Sequence, residues 1–310
     1  MVRYKYIYNN KTKIWHNKNL YIVILIVLVM SAYIYSSLLG FLSDLKGNQY
    51  GNEVIQPGSA HIHYIDVWQG DCILIQDGIH NILIDTGSSI MSSDVLNFFD
   101  KHDVDKLDMM ILTHPHEDHI GSFDEIAEKY QVDLVLKSGI THDTSTYRNV
   151  EKILTDEDIK AIVPVYKEIF TYGDMMFTVL SDSSKKYDEI NDYSIVVKLD
   201  HLGNTFLFTA DMESSSEKDL LDKRTDIECD VLKVAHHGGS SSTTASFLYE
   251  ASPVYAIIQS GAGNDYGYPH KSIMERLDVH AVKVYRNDLL GDITCISTDK
   301  GISFIFEKDY

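Results

Sequence analysis

The chain of 310 residues has an ordinary hydrophobic content of 44%, but its formal net charge of −19 is unevenly distributed. Residues 1–20 carry five basic and no acidic side chains, so the remainder has 22 bases against 46 acids, or −24. A surface this acidic repels polyanions unless bound cations or a local basic patch intervene. Cys72, Cys229 and Cys295 are scattered and form no Cys-x-x-Cys pair, which excludes a disulfide framework and a cysteine-rich zinc site.

The amino-terminal segment is predicted to anchor the chain in a membrane. A run of 25 uncharged residues separates Lys18 from Asp44, and roughly 20 apolar residues suffice to cross a bilayer as a helix. The bases before this run favour the cytoplasmic side, which predicts a single-pass protein of the cell membrane with an extracellular catalytic domain. A cleaved signal peptide is the alternative. The predicted segments are a basic cytoplasmic tail (1–19), a transmembrane helix (20–42), a linker (43–60) and a folded domain (61–310).

Within the folded domain, the hydrophobic pattern predicts short strands interspersed with helices. The predicted strands are His61–Val67, Cys72–Gln76, Asn81–Asp85, Met109–Leu112, Leu134–Leu136, Ala161–Val165, Met175–Leu180, Ser194–Leu199, Thr205–Thr209, Val231–Val234, Ile293–Ile296 and Ile302–Phe306. The predicted helices are Ser93–Lys101, Ser122–Lys129, Val150–Leu154, Lys218–Lys223 and a segment around Glu275 and Arg276. Two successive sheet-forming halves with interspersed helices indicate an α/β (α+β) domain.

A dense group of metal-ligand side chains directly follows the apolar run Met109–Leu112. In an extended loop, His114 and His116 project to the same side, because side chains repeat every second residue. Asp118 and His119 are adjacent, so they diverge and can serve a second point nearby. The spacing therefore favours two metal positions, and imidazole with carboxylate ligands suits zinc, with manganese or iron as possible substitutes.

The pattern His-x-His-x-Asp-His after an apolar strand resembles the metallo-β-lactamase superfamily. Over roughly residues 60–306, the chain looks most like the hydrolase domain of ComEC-type competence proteins. The resemblance implies a metallo-β-lactamase-like four-layer αββα sandwich with metals at one edge between the two sheets. The further segments that carry it, in the family's order, are His63–Asp71, Ile84–Gly87, Thr209–Asp211, Leu232–Gly238 and Asn264–His270.

The resemblance also implies two divalent ions, zinc or manganese, and assigns roles to individual residues. Asp211 would bridge the two ions, although a strand-ending aspartate that caps a helix is the simpler interpretation. Asp118, His237 and His270 are expected to take part in catalysis, His270 as a late ligand or as proton donor to the leaving group. His270 is otherwise an exposed residue at a helix start. The implied metal ligands are His114, His116, Asp118, His119, Asp211 and His237.

Four more residues are expected to support the ligands from behind. Asp85 would accept the second N–H group of a metal-bound histidine, and Asn191 with Ser194 matches the Asn-x-x-Ser pattern of ComEC-like domains. His236 is expected to pack or hydrogen-bond beside His237.

The chain departs from the family pattern at three places. Trp68 replaces a usual glycine, Tyr268 a usual histidine and Gly239 a usual serine. His142 and His201 are poor candidates for the middle histidine of better-known superfamily members. The first metal position is therefore predicted to be weakly held.

The sequence thus predicts a membrane-anchored metal-dependent hydrolase, in the first instance a phosphodiesterase that uses a metal-activated hydroxide. Resemblance to ComEC implies a DNA substrate, whereas the acidic domain and the lack of a basic run with aromatics argue against one. A phosphodiester on a cell-surface polymer, such as teichoic-acid phosphorylcholine, is the enzymatic alternative, and a β-lactam or thioester ranks lower. A binding module with a residual metal site is the non-enzymatic alternative. The sequence indicates no protein partner.

Overall fold

A computed structural model describes Met30 and residues 55–308 of the chain. Within these residues, no helix combines the length and the apolarity that a membrane crossing requires. The predicted cytoplasmic tail, the transmembrane helix (apart from Met30) and most of the predicted linker lie outside the described residues. The end of the linker differs from the prediction, because the first strand already begins at Ser59.

Residues 55–308 form an alternating series of strands and helices, here numbered in chain order. The strands are β1 (Ser59–Tyr64), β2 (Ile73–Gln76), β3 (Asn81–Ile84), β4 (Lys106–Leu107), β5 (Met109–Leu112), β6 (Gln131–Val132), β7 (Val135–Lys137), β8 (Ala161–Ile162), β9 (Ile169–Tyr172), β10 (Met175–Val179), β11 (Val197–His201), β12 (Asn204–Phe208), β13 (Val231–Lys233), β14 (Tyr255–Ile258), β15 (Lys283–Arg286), β16 (Ile293–Thr298) and β17 (Gly301–Phe306). The helices are α1 (Ser92–Lys101), α2 (Glu117–Ile120), α3 (Phe123–Lys129), α4 (Ser145–Asp156), α5 (Ser214–Asp222), α6 (Ala245–Ala251), α7 (Lys271–Val279) and α8 (Asn287–Leu290). Three 3₁₀ turns cover Ser89–Met91, Ile190–Tyr193 and Ala235–Gly238.

The strands build two large sheets and one small two-stranded sheet, β4-β6. The first sheet has the order β17-β16-β1-β2-β3-β5-β7-β8, and the second has the order β15-β14-β13-β12-β11-β10-β9. Strands β3, β5 and β7 pair in parallel, as do β12 to β15. The last hairpin, β16–β17, joins the first sheet, where β1 runs antiparallel to β16 from Ser59↔Thr298 to Tyr64↔Ile293. The two sheet-forming halves of the sequence are therefore not fully separate.

Three apolar layers hold the domain together. Ile82 and Met109 of the first sheet belong to one buried cluster with Phe177 and Phe206 of the second sheet. The outer face of the first sheet forms a second cluster with α1, α3 and α4, and the outer face of the second sheet forms a third with α5, α6 and α7. Strands covered on both faces read as continuous apolar runs, as Met109–Leu112 does. The predicted αββα arrangement is confirmed.

Some element boundaries differ from the sequence-based prediction. Helix α4 begins at Ser145, five residues before the predicted start, because the Thr144 hydroxyl accepts a hydrogen bond from the Tyr147 amide at 3.2 Å and caps it. The first strand ends at Tyr64, three residues before the predicted end. Strand β9 and helix α6 were not predicted at all. These elements are short, and packing rather than periodicity determines them.

Candidate metal centre

Loops that follow three strands bring the predicted ligands to one place. The loop after β5 leads into the short helix α2, which carries Asp118 and His119. The residues after β12 include Asp211, and those after β13 include His237. One ligand atom from each of these four residues lies within 4.8 Å of the other three. The His119 Nε2 atom is 3.3 Å from Asp211 Oδ2, and the His237 Nε2 atom is 3.4 Å from Asp211 Oδ1 and from Asp118 Oδ2. Of the adjacent pair, His237 is thus the residue that reaches Asp118.

His114 and His116 form a second group beside Asp211, and the His114 ring lies 4.1 Å from that of His119. The His114 Nε2 atom lies 3.0 Å from His116 Nδ1 and 3.9 Å from Asp211 Oδ2. The Asp211 carboxylate therefore faces imidazoles of both groups, as a bridging ligand must. All six predicted ligands are assembled, and their role as ligands stays a prediction.

Buried atoms without partners show that this assembly fits divalent ions. His119 Nε2, His237 Nε2 and Asp211 Oδ1 are all buried and have no hydrogen-bond partner within the part of the chain that the structure describes. A buried polar atom without a partner is unfavourable, and a divalent ion bound by these three atoms would satisfy them. Nitrogen and carboxylate oxygen are ligands that zinc, manganese and iron accept.

The electrostatics of the cluster lead to the same conclusion. Burial by itself would lower the pKa of His119, but the Asp211, Asp118 and Asp85 carboxylates raise it well above its usual range. Burial would raise the pKa of Asp211, but His237 and His119 hold it well below its usual range. The buried carboxylates therefore favour a positively charged partner at this place, and a divalent ion would supply that charge.

Asp85 supports the cluster from behind, at the position predicted for it. Its Oδ2 atom is 2.8 Å from His119 Nδ1, which directs the Nε2 atom of that ring towards Asp211. The Thr113 amide and hydroxyl donate to the same carboxylate at 2.8 and 2.7 Å. Asp85 itself has a φ of 57°, a left-handed conformation that non-glycine residues seldom adopt.

His236 and His237 are held in strained backbone conformations that turn both rings towards the cluster. Their φ values are 50° and 52°, and such conformations cost on the order of 1–3 kcal/mol each. The His237 Nδ1 atom donates to the Gln259 carbonyl at 2.9 Å. The His236 Nδ1 atom lies 3.1 Å from Glu213 Oε1, and its Nε2 atom is 3.9 Å from Asp211 Oδ2.

The two other predicted supporting residues lie beside the cluster as well. The Asn191 amide donates to Glu213 Oε1 at 3.0 Å and approaches His236 Nε2 at 3.5 Å. Ser194 is 1% exposed, and its hydroxyl has no hydrogen-bond partner. The amide that follows it, Ile195 N, bonds to the Thr113 carbonyl at 2.9 Å and ties the 190s loop to β5.

His270 occupies the position directly before α7. Its Nδ1 atom accepts a hydrogen bond from the Ser240 amide at 3.0 Å, and its ring stands edge-on to Tyr268 at 5.0 Å. The helix start matches the simpler interpretation of this residue, and its predicted catalytic role stays a prediction. His142, judged a poor candidate, lies closer than expected, because its ring packs against that of His116 at 5.6 Å.

A buried ion pair beneath the cluster was not predicted as part of the site. The side chain of Lys233 is fully buried at the end of β13, and its ammonium group contacts Asp71 Oδ2. Asp71 Oδ1 is 3.4 Å from His237 Nδ1, and Asp71 Oδ2 is 3.9 Å from His119 Nδ1. The pair joins the first sheet to the second under both imidazoles. A lysine between apolar residues in the segment Leu232–Gly238 was the sequence feature that could have predicted this pair, because lysine is almost never buried unpaired.

Comparisons with known proteins agree with this geometry. The family model described as "Metallo-beta-lactamase superfamily" matches residues 65–261. ComE operon protein 3 of Bacillus subtilis is 30% identical over 258 residues, which cover 76% of this chain and 32% of that protein. Recombination protein 2 of Haemophilus influenzae is 30% identical over 235 residues, which cover 74% of this chain and 28% of that protein. Competence protein ComA of Neisseria gonorrhoeae is 25% identical over 244 residues, with 78% and 33% covered. The chain thus spans about a third of the length of these relatives.

Solved structures share the fold at low sequence identity. The metallo-beta-lactamase fold protein YhfI of Bacillus subtilis superposes with a TM-score of 0.50 at 18% identity, covering 74% of this chain and 96% of that one. CmlA, a diiron beta-hydroxylase of Streptomyces venezuelae, superposes with a TM-score of 0.51 at 12% identity, with 77% and 54% covered. With a matching family model, a His/Asp cluster at the sheet edge and competence proteins as relatives, the chain belongs to the metallo-beta-lactamase superfamily.

Proposed function

We propose that this chain is a metal-dependent phosphodiesterase with a centre for two divalent ions. The observation that carries the proposal is the convergence of Asp118, His119, Asp211 and His237, with His114 and His116 beside them. Several of these side chains have buried atoms without a hydrogen-bond partner among the described residues. Divalent ions at such a site lower the pKa of water towards neutrality and neutralise charge on a phosphoryl group.

The residues of the chain hold, orient and enclose the reacting groups. Asp211 offers one carboxylate oxygen to His237 and the other to His119 and His114. One side chain therefore contacts all three imidazoles. Asp85 fixes the tautomer of His119 by accepting its Nδ1 proton. Buried surroundings strengthen every electrostatic contact in the centre. On the open side, His236 is held between Glu213 and the Tyr268 hydroxyl, which is 3.3 Å from His236 Nε2.

Nucleic acid is the first substrate class for this proposal. Its support is the similarity to proteins named for competence and recombination, each of which is about three times as long as the matched region. The acidity of the domain means that divalent ions must offset the repulsion of a polyanion. The proposal includes a membrane anchor with the domain outside the cell, supported by the 25 uncharged residues after Lys18.

A phosphorylcholine ester on a surface polymer is the second candidate. Two tyrosines, Tyr266 and Tyr268, stack beside the cluster with ring centroids 5.4 Å apart. Aromatic faces in an acidic domain attract a quaternary ammonium group. This substrate would not suffer the repulsion that a nucleic acid meets.

The full chain with manganese or zinc should be assayed in parallel on bis-p-nitrophenyl phosphate, p-nitrophenyl phosphorylcholine, single-stranded and duplex DNA, and nitrocefin. We expect diester hydrolysis that chelation removes. His116→Ala or Asp118→Ala should abolish it in protein that is still folded by circular dichroism. His280→Ala, which changes an exposed histidine at the end of α7, is the matched control. Full diester activity in either ligand variant, or hydrolysis of nitrocefin alone, would refute the proposal.

A further inference from the structure

Two tyrosine rings in the loop before α7, Tyr268 and Tyr266, form an aromatic step that leads from the candidate metal centre to the protein surface. We propose that Tyr266 and Tyr268 form a stacking subsite that binds one unpaired nucleobase of the substrate strand at the outer side of the metal centre. This inference rests on the proposed phosphodiesterase function and adds a specificity determinant to it. It implies that unpaired strands are preferred over duplex, because a base inside a duplex has both faces covered.

The ring geometry forms a nearly parallel series. The ring of Tyr268 lies 6.3 Å from that of His237, with 29° between their planes. The Tyr266 ring continues the series at 5.4 Å from Tyr268, with only 16° between the planes. Tyr266 is 63% exposed, so the series ends in solvent. A flat ring from the substrate would extend it by one member.

The inner tyrosine is fixed to the metal centre by a polar contact. The Tyr268 hydroxyl lies 3.3 Å from His236 Nε2, and the opposite nitrogen of that imidazole faces Glu213. The ring edge also packs against His270 at 5.0 Å. Tyr268 is therefore a rigid support for the Tyr266 ring. The rings of Tyr266 and Tyr268 separate a ligand on Tyr266 from His237.

The loop that carries the tyrosines is also held in place before any ligand binds. The Asn264 amide group donates to the Gly261 and Tyr268 carbonyls at 2.8 and 2.7 Å, and its oxygen accepts from the Tyr268 amide at 3.0 Å. Trp68 packs under the same loop and donates to the Ala262 carbonyl at 3.3 Å. A preorganised surface loses less entropy when a ligand binds.

Close packing explains why Trp68 and this loop occur together. A Cβ atom on Gly261 would lie 2.7 Å from the Trp68 indole, so only glycine admits the tryptophan there. Trp68 and Tyr268 are two of the three departures from the family pattern. Trp68 contacts the loop, and Tyr268 is part of it.

The shape of the step favours a flat ring over a quaternary ammonium group. Sites for choline-like cations surround the ion with several aromatic faces. Near-parallel rings instead present a single outer face, that of Tyr266, which suits the face of a base. Base–aromatic stacking tolerates every base, because each has a π-face. The subsite therefore selects for an unpaired base without selecting a sequence.

Calorimetric binding to the manganese-loaded full chain tests the subsite without requiring turnover. The ligands are deoxyadenosine monophosphate, deoxyribose phosphate and phosphorylcholine. We expect the base-bearing ligand to bind about tenfold more tightly than the base-free one, in line with the contribution of one stacked base. Tyr266→Ala should remove that ratio and Tyr266→Phe should retain it. Tyr249→Ala, at a 70% exposed tyrosine of α6, is the matched control.

Three results would overturn the subsite: equal binding of the two phosphates by the native chain, an unchanged ratio in Tyr266→Ala, or tightest binding of phosphorylcholine. Hydrolysis of the base-free diester methyl p-nitrophenyl phosphate separates this test from that of the proposed function. If the native chain fails to hydrolyse any diester, the proposed function is wrong. If the native chain hydrolyses the base-free diester and the binding ratio collapses in Tyr266→Ala, both proposals are supported.

Discussion

The candidate metal centre has two groups of side chains, here called the mixed half and the histidine half, and neighbouring residues support them in different ways. The mixed half consists of Asp118, His119 and His237, and the histidine half consists of His114 and His116. Asp211 approaches imidazoles of both halves. In the mixed half, His119 donates to the buried carboxylate of Asp85 at 2.8 Å, and Asp71 lies beneath both rings.

The histidine half has weaker support. Among the described residues, the hydrogen-bond partner of His114 Nδ1 is the Thr113 hydroxyl, at 3.2 Å. His116 is half-buried against the ring of His142. Charged partners make an imidazole a stronger and better-oriented ligand than neutral partners do. We therefore expect the mixed half to bind its ion more tightly, in agreement with the sequence-based prediction of a weakly held first position.

The largest effect should come from removing the carboxylate that both halves share. Asp211→Ala leaves His119 and His237 without their common partner, so both ions should be lost. Hydrolysis should fall by more than about a hundredfold, because changes even behind the ligands reduce metal affinity or activity 10–100-fold. Metal content after gel filtration and diester hydrolysis measure this. Retention of one ion per chain would show that the halves are independent.

Breaking the ion pair beneath the mixed half should strongly destabilise the fold. Lys233→Met leaves Asp71 buried without its partner, and loss of one member of a buried pair costs about 3–5 kcal/mol. The free energy of unfolding from urea titration measures this change.

The matched control for that change is Lys137→Met. Lys137 pairs with Glu151 at a partly exposed site, where such pairs contribute roughly 1 kcal/mol or less. Equal destabilisation by the two substitutions would contradict a special role for the buried pair.

A milder substitution tests the support of the mixed half alone. Asp85→Asn keeps the shape of the side chain but cannot accept the His119 proton as a carboxylate does. We expect the tighter of two manganese dissociation constants to weaken about 10–100-fold, while the weaker constant changes little. Isothermal titration resolves the two constants. A change confined to the weaker site would reverse the assignment of strong and weak halves.

The smallest effect should come from the outer side of the histidine half. His142→Ala removes a ring that packs on His116, and ring contacts contribute about 0.5–1.5 kcal/mol. The weaker manganese constant should therefore shift by less than about tenfold, and the free energy of unfolding should fall by no more than about 1.5 kcal/mol. Loss of a whole ion in this variant would identify His142 as a ligand of the histidine half.

Much of the fold could be predicted from the sequence, because local pattern specified it. Runs such as Met109–Leu112 are buried on both faces and therefore read as strands. The hairpin β16–β17 was predicted as two strands, but its place beside β1 was not. That pairing connects residues more than two hundred positions apart, and no local period records such a partner.

The candidate site divides in the same way. His114, His116, Asp118 and His119 were predicted as candidate ligands from their spacing, because residues a few positions apart in the chain are also close in space. Lys233 was missed, because a lysine in a strand becomes informative only when its partner is known to be buried with it.

The sequence by itself determined the ligand types, the strand that precedes them and the family. The tertiary structure decided which of His236 and His237 reaches Asp118, the pairing of Asp71 with Lys233, and the stacking of Tyr266 on Tyr268. Side-chain chemistry and short-range periodicity are written residue by residue. Contacts between distant loops depend on how the two sheets pack, and only the folded chain fixes the distances between those loops.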